Sequence, residues 1–544
     1  MRKNAILLVV SILISSVGFS QKDAPKLVVG VIVDQMCYDY LYRFYPNFQD
    51  GGFKKLMDNG THFRNVTYNY VPTYTGPGHA SVYTGTTPSN HGIVANDWYQ
   101  DEYKREINCV EDTNVHSIGL VSEDGKCSPK WLRANTITDQ LKLTYPNAKV
   151  IGASIKDRGA ILPAGHYPDG AYWYDYSSGK FITSSYYKQN NESWVTDFYT
   201  SNPFATYAKL LWDLSREKAV YQYANQDNSN YEQLLLGKTT PTFPYDISGL
   251  STTEQYNYFT VMPAANSYLT DFSLAAMKGE NMGKDAVTDF LTISYSTPDI
   301  AGHAFGPYSL EMEDMYFRLD REIARLLTEL DKNVGKGQYV IYLTADHAVV
   351  PVPQFLKEKN LPGGYLYTET KFANLKSSFQ AKFSNSGIIE ITNNNVYLKP
   401  GSEFLPNYSE MLAFLKMEIE KWPEVKAVYD RNELKDASGT NWEQMVCAGF
   451  DRERSGDLIF ILQPGYLNKS NESSAHKGTS HGSAFNYDTH VPVLFYGKGI
   501  PKQEVFTAYE ITDIAATLVH VLDVQRPNAM IGKPMVELFS KSKK

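Results

Sequence analysis

Four stretches of the chain are apolar almost without a break, and each ends on charged or polar residues. "KLVVGVIVDQM" ends at Asp34, "AKVIGASIKDRGAILPAGH" passes into Lys156, Asp157 and Arg158, "AVTDFLTISYSTPDIAGHAFGP" ends near Asp299, and "GQYVIYLTADHAVVP" ends at Asp346 and His347. Runs without polar alternation predict strands buried on both faces, the habit of a parallel sheet. Between them lie stretches of helical spacing, such as "EMEDMYFRLDREIARLLTELDKNV" from Glu311 and the closing "ITDIAATLVHVLDV". Strands alternating with helices predict an α/β fold, a mostly parallel central sheet sandwiched by helices. In such sheets functional residues gather at the carboxyl ends of the strands.

Two regions break the alternation. Residues 167–281 are rich in tyrosine, asparagine and serine, and residues 352–474 mix polar tracts with "SEMLAFLKMEIEKW" and "GDLIFILQPGY". Strand-type sequence resumes after each, so both are expected as insertions on one catalytic domain spanning 21–544. Residues 1–20, "MRKNAILLVVSILISSVGFS", have the layout of a secretory signal peptide: Arg2 and Lys3, an apolar stretch, then small residues. Cleavage is expected near Ser20/Gln21, giving an exported protein, periplasmic or secreted, with no membrane attachment and a monomeric state. The net charge of -8 argues against nucleic acid as a specific partner, which calls for a basic surface. Four cysteines are too few for a disulfide scaffold, although Cys109 and Cys127 flank a polar segment and could pair in an oxidising compartment.

The polar strand ends carry the candidate chemistry. Asp299 and His303 are four apart and face one point if a helix begins there. Asp346 and His347 are adjacent at a strand end, Asp34 ends another strand, and His481 lies in the Gly-flanked "GTSHGSAFNYDTHVP". Each is weak alone, because an Asp after a strand is usually a cap or turn residue. Together, Asp and His without Cys suit a catalytic zinc, and three of each suffice for two metals. Most of His79, His91, His166, His476 and His490 are expected to be structural, with His490 a possible support for a ligand. In "VPTYTGPGHASVYTG", Pro77 suits the first turn of a helix, Gly76 and Gly78 leave room for a phosphate-sized group, and Thr75 stands at the positive helix mouth. A neighbouring metal would make its hydroxyl a nucleophile; otherwise it is a simple cap.

The ordered set Asp34, "TYTGPGHASVYTG", "IKDRGAILPAGH", "STPDIAGH", "TADHA" and "TSHGS" resembles the alkaline phosphatase superfamily of bimetallic hydrolases. Within it, "IKDRGAILPAGH" resembles the PafA-type, phosphate-irrepressible branch. The resemblance implies two Zn2+ per chain, one held by Asp34, Asp346 and His347, the other by Asp299, His303 and His481. It implies Thr75 as a nucleophile that also faces the metals, and Asn96, Lys156 and Arg158 as contacts to phosphoryl oxygens. A third, Mg2+ ion is not expected, since Lys156 would supply charge where that ion helps. The implied substrates are small phosphate monoesters. A phosphodiesterase or nucleotide pyrophosphatase shares the metals and a threonine but has no counterpart of Lys156 with Arg158. A sulfatase would need Cys or Ser within C/S-x-P-x-R, which "TGPGH" lacks, and a phosphoglycerate mutase would not be exported. A non-enzymatic zinc-binding protein is the reading from another class.

Overall fold

The computed structural model describes residues 24–435, 441–473 and 476–539; the expected leader lies outside the described residues. A ten-stranded sheet runs through the molecule. Its strands are β1 (Leu27–Val33), β2 (Thr61–Phe63), β3 (Ser117–Ile118), β4 (Val150–Ser154), β5 (Gly170–Asp175), β6 (Lys180–Ser184), β7 (Asp289–Tyr295), β8 (Tyr339–Thr344), β9 (Val493–Gly497) and β10 (Gln503–Val505). The order across the sheet is β10-β2-β9-β8-β1-β7-β4-β5-β6-β3. The central five, β8-β1-β7-β4-β5, are parallel, while β9 and β6 pair antiparallel on either side.

Burial explains the composition of the strands. Every residue of β1, β4, β7 and β8 is buried, so no polar alternation is needed. The helices that matter for the site are α1 (Thr75–Thr84), α2 (Asp157–Ala164), α3 (Ala264–Gly279), α4 (Thr297–Phe305), α5 (Leu310–Leu330) and α6 (Asp513–Leu522). Helix α5 is started by Ser309, whose Oγ accepts from the Met312 N–H, and it buries Met315, Leu319, Ile323, Leu326 and Leu330 along one face.

The first interrupting region is narrower than its composition suggests. Strands β5 and β6 belong to the main sheet and α3 packs on it, although all three fall within residues 167–281. Their aromatic, mixed-polarity residues ("GAYWYD", "KFITS") do not read as continuous apolar runs, yet all of β5 and most of β6 are buried. What remains outside the sheet, between β6 and α3, is tied to α5 through Trp212 Nε1, which donates to Asp314 at 2.9 Å, and Tyr245 OH, which donates to Glu311 at 2.6 Å. The second region builds its own four-stranded sheet from Ile388–Thr392, Asn395–Leu398, Leu458–Leu462 and Val425–Asp430. It has a separate apolar cluster that includes Leu375, Phe379, Leu412, Leu415 and Phe460.

Candidate active site

The parallel register brings the four polar strand ends to one edge of the sheet. Neighbours β8, β1, β7 and β4 deliver Asp346 with His347, Asp34, Asp299 with His303, and Lys156 with Arg158. Asp299 sits in the first turn of α4 and His303 one turn later, so the four-residue spacing puts both on one face. His481 arrives from the loop before β9. Asp34, Asp299, Asp346 and His347 are buried to within 2% of full burial, so their charges must be met inside the protein.

The three histidines share one arrangement. Each holds a backbone carbonyl with Nδ1: His303 that of Thr479 (2.9 Å), His347 that of Ala348 (3.0 Å) and His481 that of Thr73 (2.8 Å). The bond fixes Nδ1 as the protonated nitrogen and leaves the Nε2 lone pair pointing inward. Those lone pairs face carboxylate oxygens. His303 Nε2 is 3.2 Å and His481 Nε2 3.5 Å from Asp299 Oδ1, and His347 Nε2 is 3.5 Å from both Asp34 Oδ1 and Asp346 Oδ2. Asp34 Oδ1 and Asp346 Oδ2 have no hydrogen-bond partner. Acceptors turned on acceptors in a buried site fit a cation between them. Asp299, His303 and His481 cluster as one such group, and Asp34, Asp299 and His347 as another. The second group has Asp299 where the resemblance implied Asp346, whose Oδ2 stands 3.5 Å from His347 Nε2 and 3.3 Å from His79.

Titration follows from this crowding. Burial pushes His481 down to about 3 and His347 well below its ordinary value; at His303 burial works in the same direction, but the Asp299 charge, the Asp299 hydrogen bond and the Thr479 carbonyl together raise the pKa. Burial, then the neighbouring carboxylates, raises Asp34, and burial takes Asp346 to about 7. Asp299 is the exception, held well below the carboxylate range by His303 and Lys156 in spite of burial. Lys156 Nζ donates to Asp299 Oδ2 (2.5 Å), Asp34 Oδ2 (2.8 Å) and Thr75 Oγ1 (3.4 Å). Burial works against its charge, but Asp299 and Asp34 keep its pKa above the usual lysine value.

Thr75 is the first residue of α1, with Tyr74 extended before it and Pro77 in the first turn. Its Oγ1 lies 3.5 Å from His347 Nε2. Asn96 Oδ1 accepts from the Gly76 N–H at 2.7 Å, which fixes the Asn96 amide beside Thr75. Arg158 is held by Asp157 at 3.5 Å, its Nε buried without a partner. The glycines do a different job from the one expected. A Cβ on Gly78 would collide with the backbone and Cβ of Asp346, and one on Gly76 would meet Cys109 Sγ at 3.0 Å. Gly78 lets the helix lie against the Asp346 strand end and Gly76 lets it lie against Ala95, Asn96 and Cys109, so the space a Cβ would take is filled by protein.

Sequence reasoning missed two supports. Gln35 adopts φ +65 directly after Asp34, a costly conformation for a side chain of its size. In it, the Gln35 N–H donates to Asp346 Oδ1 (3.2 Å) and Nε2 to Asp299 Oδ1 (2.6 Å). His79, one helical turn after Thr75, bonds the Thr75 carbonyl through Nδ1 and Ser294 Oγ through Nε2, both at 2.8 Å. Its i+4 spacing from Thr75 was the available signal. His490 does not join the site: it stacks on Tyr38 and bonds the Arg64 carbonyl. His91, His166 and His476 bond Ser81, Asp139 and Tyr367 instead. Cys109 and Cys127 are free thiols within one apolar cluster.

Residues 28–484 match the model of the type I phosphodiesterase / nucleotide pyrophosphatase family. Alkaline phosphatase PafA of Elizabethkingia meningoseptica is 38% identical over 98% of both chains, and alkaline phosphatase PhoV of Synechococcus elongatus is 37% identical over 95% of this chain and 93% of that one. The crystal structure of wild-type PafA superimposes with a TM-score of 0.89 over 95% of this chain and 99% of that one, at 37% identity. Murine ectonucleotide pyrophosphatase / phosphodiesterase 5, 16% identical with a TM-score of 0.52, shares the fold. The chain belongs to the type I phosphodiesterase / nucleotide pyrophosphatase family and, with PafA and PhoV, to the PafA-type alkaline phosphatases of the alkaline phosphatase superfamily.

Proposed function

We propose that this chain is an exported, zinc-dependent alkaline phosphatase that hydrolyses small phosphate monoesters through a phosphothreonine at Thr75. The observation that carries the reading is the set of inward Nε2 lone pairs and unpartnered carboxylate oxygens beside a helix-mouth hydroxyl. Asp299, His303 and His481 would hold one zinc ion, and Asp34, Asp346 and His347 the other. When bound, the two ions supply Lewis-acid stabilisation of the attacking and leaving oxygens of an in-line displacement.

The chain's own residues account for the rest. Asp34, Asp299 and Asp346 against Lys156 leave two net negative charges in the cradle, which suits divalent cations. Thr75, set at the positive end of α1, attacks phosphorus as the ester P–O bond breaks and the alcohol leaves, and carries the phosphoryl group until water displaces it and frees inorganic phosphate. The Lys156 ammonium, within 3.4 Å of the Thr75 oxygen, stands beside that group as charge develops. Arg158 and the Asn96 amide take the remaining non-bridging oxygens. A monoester offers two full charges to these contacts and a diester one, so the pair selects the monoester. The family model also spans phosphodiesterases, which makes diester hydrolysis the second reading.

Export rests on the leader-like residues 1–20; among the described residues no helix is long and apolar enough to cross a membrane. We read residues 21–544 as one catalytic domain acting as a monomer. The deciding experiment compares the zinc-loaded protein on an aryl phosphate monoester and its matched diester. A preference of several orders of magnitude for the monoester is expected, and equal rates would overturn the assignment.

A further inference from the structure

A second set of carboxylates lies behind the wall that carries His303. Glu232, in the excursion between β6 and α3, and Glu311, in the first turn of α5, are both fully buried. Glu311 Oε1 accepts from Tyr245 OH at 2.6 Å, but Glu311 Oε2 and both Glu232 oxygens have no hydrogen-bond partner. The Ser229 N–H comes near the Glu232 carboxyl without reaching hydrogen-bond geometry, and the Ser229 hydroxyl is itself buried and unpartnered. Asp227 adds negative charge that both glutamates feel, without its oxygens gathering with theirs; its Oδ1 accepts from the Phe243 N–H at 3.2 Å. Lys477 is the cation that faces the group, yet among the described residues it forms no ion pair with Glu232.

Such a set is costly as it stands. A buried carboxylate without donors loses its hydration and gains nothing back, and buried charges are normally paired or bound to metal. Burial and the neighbouring Glu311 push Glu232 up to about 10, and burial takes Glu311 to about 8. The donors are oxygens throughout, with no histidine or cysteine among them. Oxygen-only donors select a hard cation such as calcium over zinc, and calcium takes six to eight oxygens in flexible geometry. A divalent ion would displace the protons that these raised values hold, and the two ionised glutamates would then neutralise its charge.

We propose that Glu232 and Glu311 form a buried calcium site, separate from the catalytic cluster, that fastens the excursion to α5. Its position gives it a role. The Gly478 N–H donates to the Tyr231 carbonyl (2.8 Å) and the Gln233 N–H to the Ala304 carbonyl (2.9 Å), so the peptide bearing Glu232 is stitched on both sides. Those partners flank His303 and Thr479, and the Thr479 carbonyl fixes His303 Nδ1. An ion on Glu232 and Glu311 therefore stiffens the support of one catalytic ligand.

The test uses the full zinc-loaded protein in calcium-free buffer, with calcium chloride or magnesium chloride added while zinc is kept saturating. Metal analysis after dialysis is expected to show about one calcium ion per chain beyond the zinc, the stoichiometry of a single site. The apparent unfolding temperature is expected to rise by several degrees with calcium, since an ion that binds only the folded chain stabilises it. The variant Glu232→Gln with Glu311→Gln should lose both effects. Failure to retain calcium in the wild-type protein overturns the proposal, as does uptake of a third zinc ion in its place. An unfolding shift that persists in the double variant also overturns it. A double variant as stable as the calcium-loaded wild type would mean that the two glutamates merely share a proton, which likewise overturns it. Should the variant fail to fold, the wild-type binding measurement decides alone. None of these readouts depends on phosphatase activity, so failure here is distinct from failure of the functional reading.

Discussion

The two halves of the active site are built on different principles. The metal-facing half is rigid: Asp34, Asp299, Asp346 and His347 are all but fully buried, and every histidine is fixed by a backbone carbonyl. The phosphate-facing half is anchored differently: Asn96 stands just before a short strand (Asp97–Gln100), Lys156 directly before α2 and Arg158 in its first turn, with the Lys156 and Arg158 side chains 10% and 19% exposed. Backbone geometry holds the first; charge and side-chain contacts hold the second. The first half should therefore fail all at once when one member is lost, and the second should fail by degrees.

The sharpest break of this contrast is at the nucleophile and the cradle. Thr75→Ala is expected to lower kcat by about 10^4-fold or more, the scale seen when a nucleophile is removed. Thr75→Ser should keep considerable activity because the attacking oxygen survives. Asp299→Ala or His481→Ala should match the Thr75→Ala loss and release one zinc ion, measured by metal analysis; unaltered zinc content with full activity would show that the cradle is not one unit. Acid-quenched enzyme given a monoester should carry phosphate on Thr75, mapped by mass spectrometry.

The next effect belongs to the phosphate-facing half. Charge-assisted hydrogen bonds are worth about 1.5–3 kcal/mol each, so Lys156→Ala with Arg158→Ala should cut monoester kcat/KM by roughly 10^2- to 10^4-fold. Diester turnover should fall much less. Lys156 is the member that tests the boundary, since it also bonds Asp34 and Asp299. Removing it should loosen zinc as well as slow the reaction, whereas Arg158→Ala should leave zinc content unchanged.

pH separates the halves more gently. Asp346, raised by burial to about 7 in the metal-free chain, is protonated when folded at pH values where it would be ionised when unfolded. The folded chain thus binds the extra proton between the ordinary carboxylate range and about 7. The metal-free protein should lose stability at this group as pH rises through that window, while zinc, which needs the ionised carboxylate, should bind more tightly. Zinc titrations at graded pH check the sign: affinity that falls between pH 5 and 7 contradicts it.

The rigid half was the more legible in the sequence, for a physical reason. A strand buried on both faces can carry a polar residue at its end with little ambiguity, so Asp34, Asp299 and Asp346 stood out. Supports that depend on local conformation did not. Gln35 works only because φ is positive there, and nothing in "VDQMC" announces it. The tight packing of Gly78 on Asp346 joins residues far apart in the chain, so the glycines read as phosphate space instead. Strands β5 and β6 were hidden because their buried positions are filled by Tyr, Trp and Thr, and that composition looks like an exposed excursion.

The smallest expected effect asks how far the phosphate-facing half leans on the second excursion. Its hairpin turns at Asn393 and Asn394, both with positive φ, and Asn393 Nδ2 donates to the Asp97 carbonyl at 2.7 Å. Asp97 follows Asn96, whose amide is set by the Gly76 N–H, so the hairpin braces a substrate contact from outside. The hydrogen bond is exposed and worth at most about 1 kcal/mol. Asn393→Gly keeps the turn, because glycine accepts positive φ, and removes only the brace. Monoester KM should rise about twofold to fivefold, as that energy allows, with kcat and zinc content unchanged. Asn393→Ala should add a stability loss from the strained turn. If Asn393→Gly lowers zinc content instead, the two halves share a support, and the division between a backbone-held cradle and a side-chain-held edge fails.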